Sequence, residues 1–248
     1  MSSETYFAEV RKLINVIERT QMSGIKRAAE LVADSVARER LVYLFGAGHS
    51  SLLAQECFAR AGGLMNMQAV LDPGLDFQAG AERQGGFERM PGYAKIVIRD
   101  YDIQSGDVVI VISNSGRNPV PVQFALEAKA RGATVIALTS MAHSRSVSSN
   151  DPSGKRLFEV ADLVLDNACP SGDAMVKVEG MEPPVGPGST VLGALILNAI
   201  VVQASQNLVQ RGITPLVAFS GNLEGAHEYN ERILGAAREK LKDQLRHM

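Results

Sequence analysis

Short apolar runs alternate with helix-length segments through the middle of this 248-residue chain, and that alternation restricts its fold more than any other feature. "RLVYLFGAGHSS" holds a strand at residues 41–45 that runs into a glycine turn. "SLLAQECFARAGG" is a helix closed by Gly62 and Gly63. "LMNMQAVLD" and "VVIVIS" read as strands, and "PVPVQFALEAKARG" as a helix with Pro119 in its first turn and Gly132 at its end. "TVIALTS" is a further strand, and "LFEVADLVLDN" contains another. Strands separated by helices pair in parallel through right-handed crossovers, which predicts a doubly wound, three-layer α/β/α sandwich.

The flanks carry less pattern. Residues 3–39 read as helical, as two helices meeting near Ser23 and Gly24. With a C-terminal helix over about 224–246, this segment is expected to decorate a single domain spanning 1–248. Residues 72–91, with several glycines and two prolines, read as an irregular excursion, and "GYAKIVIRDYDIQSGD" as a short helix and a turn. Residues 189–210 carry no charge, but Asn198, Gln203, Gln206 and Asn207 interrupt the apolar pattern, so they read as a buried helix at a subunit interface.

Composition excludes several function classes. Net charge is −2, and 25 basic residues face 27 acidic ones with no long run of either sign. Neither a nucleic-acid surface nor a membrane anchor is expected. Aromatics make up 5% of the chain and Trp is absent, which argues against base stacking. Cys57 and Cys169 have no CxxC spacing and the four histidines are scattered, so no metal and no cofactor is expected. The N-terminus is acidic and mixed, unlike a signal peptide, and a cytoplasmic location is expected.

Two strands end in small polar loops that open helices: "GAGHSS", residues 46–51, and "SNSGRN", residues 113–118. In such a sheet ligands bind beyond the carboxyl ends of the strands. Helix N-termini offer unpaired N–H groups and a dipole that favours an anion. Gly48 and Gly116 let the backbone turn sharply or approach a ligand. A phosphate wrapped by short neutral donors explains why an apolar strand ends in serines and asparagines. Gly46-x-Gly48 followed by Asp72 also fits part of a dinucleotide fingerprint, but its third glycine is Ser51.

"YLFGAGHSSLLAQE" and "DVVIVISNSGRNPVPVQFALEAKARGATVIALTS" resemble the two halves of a SIS (sugar isomerase) domain over roughly residues 35–210. That family's phosphosugar loop reads Ser-x-Ser-Gly-x-Thr/Asn; here it is Ser113, Asn114, Ser115, Gly116, Arg117 and Asn118. The resemblance implies a five-stranded parallel sheet, phosphosugar binding and a homodimer with sites near its interface. It is strongest toward phosphoheptose-isomerase-like and uncharacterised sugar isomerase domain proteins, and it adds Ser50 and Ser51 to the phosphate or sugar contacts, with Ser189 a further expected contact. Phosphoheptose isomerases place a Glu on the helix after the first loop. The nearest acid here is Glu56, while an ungapped alignment puts Ala59 or Arg60 at that position. Their His on the last domain helix has no counterpart in 189–210. Glucosamine-phosphate synthase isomerase domains set a Glu before a Ser-Thr pair that opens this helix. "GMEPPVGPGST" offers Glu182 before Ser189 and Thr190, with a gap two residues longer.

The expected chemistry is cofactor-free aldose–ketose or amino-sugar phosphate isomerisation through an enediol, which needs a base on carbon and a proton shuttle to oxygen. Glu182, with Glu179 and Glu56 as competitors, suits the first role, and His49 or His227 the second. His143 follows a strand and is placed to line the cleft, and Arg117 to meet the phosphate. A lyase or deaminase acting on an amino-sugar phosphate, and a non-catalytic phosphosugar sensor, remain alternatives.

Overall fold

The computed structural model describes residues 2–241. Its strands are β1 (Val42–Gly46), β2 (Met67–Val70), β3 (Val108–Ile112), β4 (Thr134–Thr139) and β5 (Leu163–Asp166), and they form one parallel sheet in the order β2-β1-β3-β4-β5. Alternate residues feed two cores. Val42, Leu44, Ile110 and Ile136 face one, and Tyr43, Phe45, Val109, Val111 and Val135 face the other. Both faces are therefore covered, as an all-parallel sheet requires. The ladder runs in step, with Val42 beside Val108 and Val108 beside Thr134. At the base of β3, fully buried Asp107 receives Arg40 Nε at 2.7 Å and Nη2 at 2.9 Å, which anchors the strand that carries the second loop.

One helical layer consists of α1 (Ser2–Ala37), α2 (His49–Glu56) and α8 (Ser189–Gln210). The expected break near Ser23 and Gly24 is absent: α1 is one helix of 36 residues. Gly24 lies against β5, where an added Cβ would stand 3.0 Å from Leu165 Cδ2, so it serves close packing and not a turn. Nor is this segment a decoration, since Ile25, Ala28, Ala29, Val32 and Ala33 are core residues. α8 is long and apolar enough to cross a membrane by length and composition, with mean hydropathy 1.5. Its Leu192, Ile196, Leu197, Ile200, Ala204 and Leu208 are buried in the core it shares with α1.

The opposite face carries α4 (Tyr93–Val97), α5 (Pro119–Ala130), α7 (Leu157–Val160) and α9 (Ala226–Leu241), whose Ile233, Ala237 and Leu241 are buried. The expected C-terminal helix beyond residue 241, and His247, lie outside the described residues. Residues 72–91 are more ordered than expected: after a 3₁₀ turn at Phe77–Ala79 they form α3 (Ala81–Glu88). α2 ends at Glu56, short of Gly62, because the chain from Cys57 turns to pair Ala61 with Ala218. α6 (Met141–Ser146) follows β4, and a hairpin of β6 (Ala174–Val176) and β7 (Val185–Pro187) precedes α8. Tyr6 of α1 holds that hairpin by donating from its hydroxyl to the Pro187 carbonyl at 3.0 Å.

Candidate anion site at the switch point

β1 and β3 are neighbours, yet β1 leads to a helix on one face and β3 to a helix on the other. The crevice outside their carboxyl ends is the topological switch point of the sheet. Both polar loops meet there, but the structure separates their roles.

The second loop is open for an anion. Ser113 is buried, and its Oγ accepts from the Gly116 N–H at 3.2 Å, closing the turn. Gly116 has φ 58°, and a Cβ there would stand 3.1 Å from Leu157 Cβ and from Ser144 Oγ. Asn118 is the N-cap of α5, but its side chain caps no helix N–H. Two of the first three helix residues, Pro119 and Pro121, have no N–H at all. Among the described residues, no acceptor pairs with the N–H groups of Ser115, Arg117, Asn118 and Val120. These four donors and the Ser113 and Ser115 hydroxyls make up the cradle. The helix end itself supplies only Val120, so the donors come chiefly from the loop.

The first loop is tied to itself. Gly48 donates to the Leu75 carbonyl at 2.8 Å, Ser50 to Ala47 at 3.2 Å and Ser51 to Gly48 at 3.0 Å. Both loops are expected to offer donors, but the first has fewer of them unpaired. Gly48, at φ 57°, makes room for a neighbour: a Cβ there would stand 3.2 Å from the Gln84 amide of α3. Ser51 is also corrected. It is buried, with its hydroxyl held between the Gly48 carbonyl and Asp76. Asp72 is spent on structure as well. Its Oδ1 accepts from Gly74 N, Leu75 N and the Tyr93 hydroxyl at 2.8, 3.1 and 2.9 Å, which removes the dinucleotide reading. Burial and the bond to Asp72 push the Tyr93 hydroxyl up to about 12.

His49, Ser50, Asn114, Asn167, Ser189 and Thr190 line a cleft beside the loops, floored by Leu53, Ile112 and Leu138. His49 is exposed and sets its ring edge-on to Phe77, with centroids 4.5 Å apart. Asn114 Oδ1 accepts from Asn167 Nδ2 at 2.9 Å across the cleft. The cavity is about 10 Å³, room for one water. A groove of about 460 Å³ lies under α9, between Arg60, Met65, Phe219 and Ile233, and holds none of the expected site residues.

The carboxylates fall differently from expectation. Glu56 sits about 10 Å along α2 from His49 and pairs with Arg60. Glu182 is exposed in the β6–β7 turn, away from the cleft lining, and Glu179 is exposed nearby. His227 is exposed on the first turn of α9, also outside the cleft. Ser189 lines the cleft, but its hydroxyl donates to Asp173 Oδ2 at 2.6 Å while its N–H donates to Asp173 Oδ1 at 2.8 Å. An internal carboxylate thus occupies the α8 N-terminus, and Ser189 has no proton left for a ligand.

Three residues that sequence reasoning missed therefore stand out. Asp173, at φ 71°, caps α8 from the hairpin. Gln84 and Glu88 of α3 reach over the loops, Glu88 Oε1 accepting from Asn118 Nδ2 at 2.8 Å and Oε2 from Gln84 Nε2 at 3.1 Å. Residues 72–91 offered no periodicity to mark them. Near Gly116, Arg117 Nε, His143 Nδ1 and Ser144 Oγ are buried without partners among the described residues. Burial holds His143 below its ordinary value; nearby Arg117 acts in the same direction and Asp173 against it. Cys57 and Cys169 are both buried, and burial pushes each thiol up to about 12.

Strand order and switch point define a doubly wound α/β protein, with a loop of unpaired donors at the carboxyl end of β3. The chain belongs to the SIS domain family, whose model matches residues 5–140. A UPF0309 protein of Geobacillus thermodenitrificans is 40% identical over 238 residues, 96% of each chain. A UPF0309 protein of Caldanaerobacter subterraneus is 40% identical over 248 residues, 99% of each. The phosphoheptose isomerase of Neisseria gonorrhoeae superposes with TM-score 0.55 at 19% identity, covering 82% of this chain and 96% of that one. That of Francisella tularensis superposes with TM-score 0.53 at 17% identity, covering 83% and 100%. At these identities the structural likeness is one of fold.

Proposed function

We propose that this protein binds a phosphorylated sugar in the cytoplasm, with the phosphate held by Ser113–Asn118, and isomerises it without a cofactor. The observation that carries the reading is the set of four unpaired N–H groups, at Ser115, Arg117, Asn118 and Val120, around two serine hydroxyls at the switch point. Membership of the SIS family supports it, as does the fold shared with two phosphoheptose isomerases. Neutral donors suit a phosphate that must also leave, since each contributes about 1.5–3 kcal/mol to a charged acceptor. Ser50 and Asn114, which line the cleft, border the sugar, and His49 is the proton shuttle to its oxygens.

The assembly proposed is a homodimer across the exposed face of α8. Val191, Leu195, Val202 and Val209 form an exposed apolar stripe along that helix, which a second copy would cover.

A second reading, a phosphosugar sensor without turnover, is favoured by one observation: neither Glu56 nor Glu182 reaches the cleft. One experiment decides between them. Calorimetry with five- to seven-carbon sugar phosphates tests binding, and proton NMR in D₂O tests exchange at the carbon next to the carbonyl. Exchange supports the isomerase; binding without exchange supports the sensor. Absence of binding refutes both.

A further inference from the structure

Glu88, in the last turn of α3, is a carboxylate set against the anion loop with no cation beside it. Among the described residues no Lys, Arg or His forms an ion pair with it. Its partners are two amides, Asn118 Nδ2 at 2.8 Å and Gln84 Nε2 at 3.1 Å. Asn118 belongs to the loop of β3, and Gln84 fills the space left open by Gly48 in the loop of β1. Glu88 thus bridges the two sides of the switch point. Asn118 gives up capping its own helix to do so, its amide being divided between Glu88 and Asn150.

A negative charge next to an anion cradle weakens anion binding by Coulomb repulsion, so Glu88 does not serve affinity. A sugar carried on the loop with its reacting carbons on the α3 side would meet Glu88, held there by Asn118 and Gln84. Resting on the phosphosugar reading above, we infer that Glu88 is the catalytic carboxylate that takes and returns the substrate's carbon-bound proton. Two amide donors fix its direction, and each oxygen keeps a lone pair free to accept a proton.

In the step itself, Glu88 accepts the proton from the carbon next to the carbonyl. The C–H pair becomes the enediol C=C bond, and the carbonyl π pair moves to oxygen, which takes a proton from His49. In the second half Glu88 returns its proton to the neighbouring carbon, the adjacent hydroxyl becomes the carbonyl, and its proton goes back to His49. No atom or electron is gained or lost.

The test pairs Glu88→Gln with Glu88→Asp and uses Glu182→Gln as the control. Gln at 88 keeps the loop contacts, because the Gln84 amide turns to accept from it. Inorganic phosphate, read by calorimetry, reports the charge and confirms that each variant is folded. Glu88→Gln should bind it several-fold more tightly, on the order of 3–10-fold, and Glu88→Asp as the wild type does. Fructose 6-phosphate, glucosamine 6-phosphate and sedoheptulose 7-phosphate in D₂O report chemistry. Glu88→Gln should lose roughly 10²–10⁴ in exchange and Glu88→Asp about tenfold, with Glu182→Gln close to wild type. Wild-type exchange in Glu88→Gln overturns the inference, as does weaker phosphate binding, which would make Glu88 a loop strut. Loss of affinity confined to glucosamine 6-phosphate overturns it in favour of an ammonium partner. If the wild type binds sugar phosphates but exchanges no proton, Glu88 falls and the binding site stands; if it binds none, both fall.

Discussion

Ser113→Ala should damage folding and binding together, and Ser115→Ala binding alone. Ser113 is 6% exposed, and its Oγ accepts from the Gly116 N–H at 3.2 Å inside the turn. Alanine leaves that buried amide without an acceptor, which costs about 1–2 kcal/mol of stability. The same hydroxyl has its own proton to donate. Losing its bond to a phosphate costs about 1.5–3 kcal/mol, or roughly 10- to 150-fold in Kd. Ser115 is half-buried and its hydroxyl has no partner among the described residues, so only the affinity term applies there. Urea denaturation measures the first quantity and calorimetry with a bound sugar phosphate the second. Equal stability in the two variants would refute the assignment of the Ser113–Gly116 bond. Unchanged affinity in both would refute the loop as the anchor.

Asp173→Ala should destabilise the fold by about 1–3 kcal/mol, because the Ser189 N–H and hydroxyl lose their acceptor while the Gly188 N–H keeps the backbone carbonyl of residue 173; wild-type stability in urea would show that solvent replaces it. Burial holds His143 below its ordinary 6.5, so the unfolded chain takes up that proton first. The stability this contributes is present above about pH 6.5 and is lost as pH falls below it. His143→Gln should flatten that part of the Tm-versus-pH curve, and an unchanged slope would contradict the burial of its imidazole. Val202→Glu, at a position 70% exposed on α8, should yield monomers in sedimentation where the wild type is dimeric. A monomeric wild type at micromolar concentration would remove the proposed interface.

Much of this molecule was legible in its amino acids because the relevant signals are local. Hydrophobic periodicity and turn residues mark each strand and most helices of the sheet, and with them the carboxyl-end loops. The composition of Ser113–Asn118 marks the loop whose N–H groups the structure leaves unpaired. What each polar group does with its protons is another matter, decided by neighbours far away in the chain. Ser51 and Ser189 look like ligand donors until Asp76 and Asp173 take their protons. Gly24 looks like a helix break until Leu165 is packed against it. Glu182 comes within two residues of a family spacing, but it lies in the β6–β7 turn, outside the cleft lining. Glu88 satisfies none, and only the folding of α3 across the switch point sets it 2.8 Å from Asn118. Local sequence specifies backbone conformation over a few residues, whereas a site's chemistry depends on distances of about 3 Å between groups dozens of residues apart, and only tertiary packing sets those.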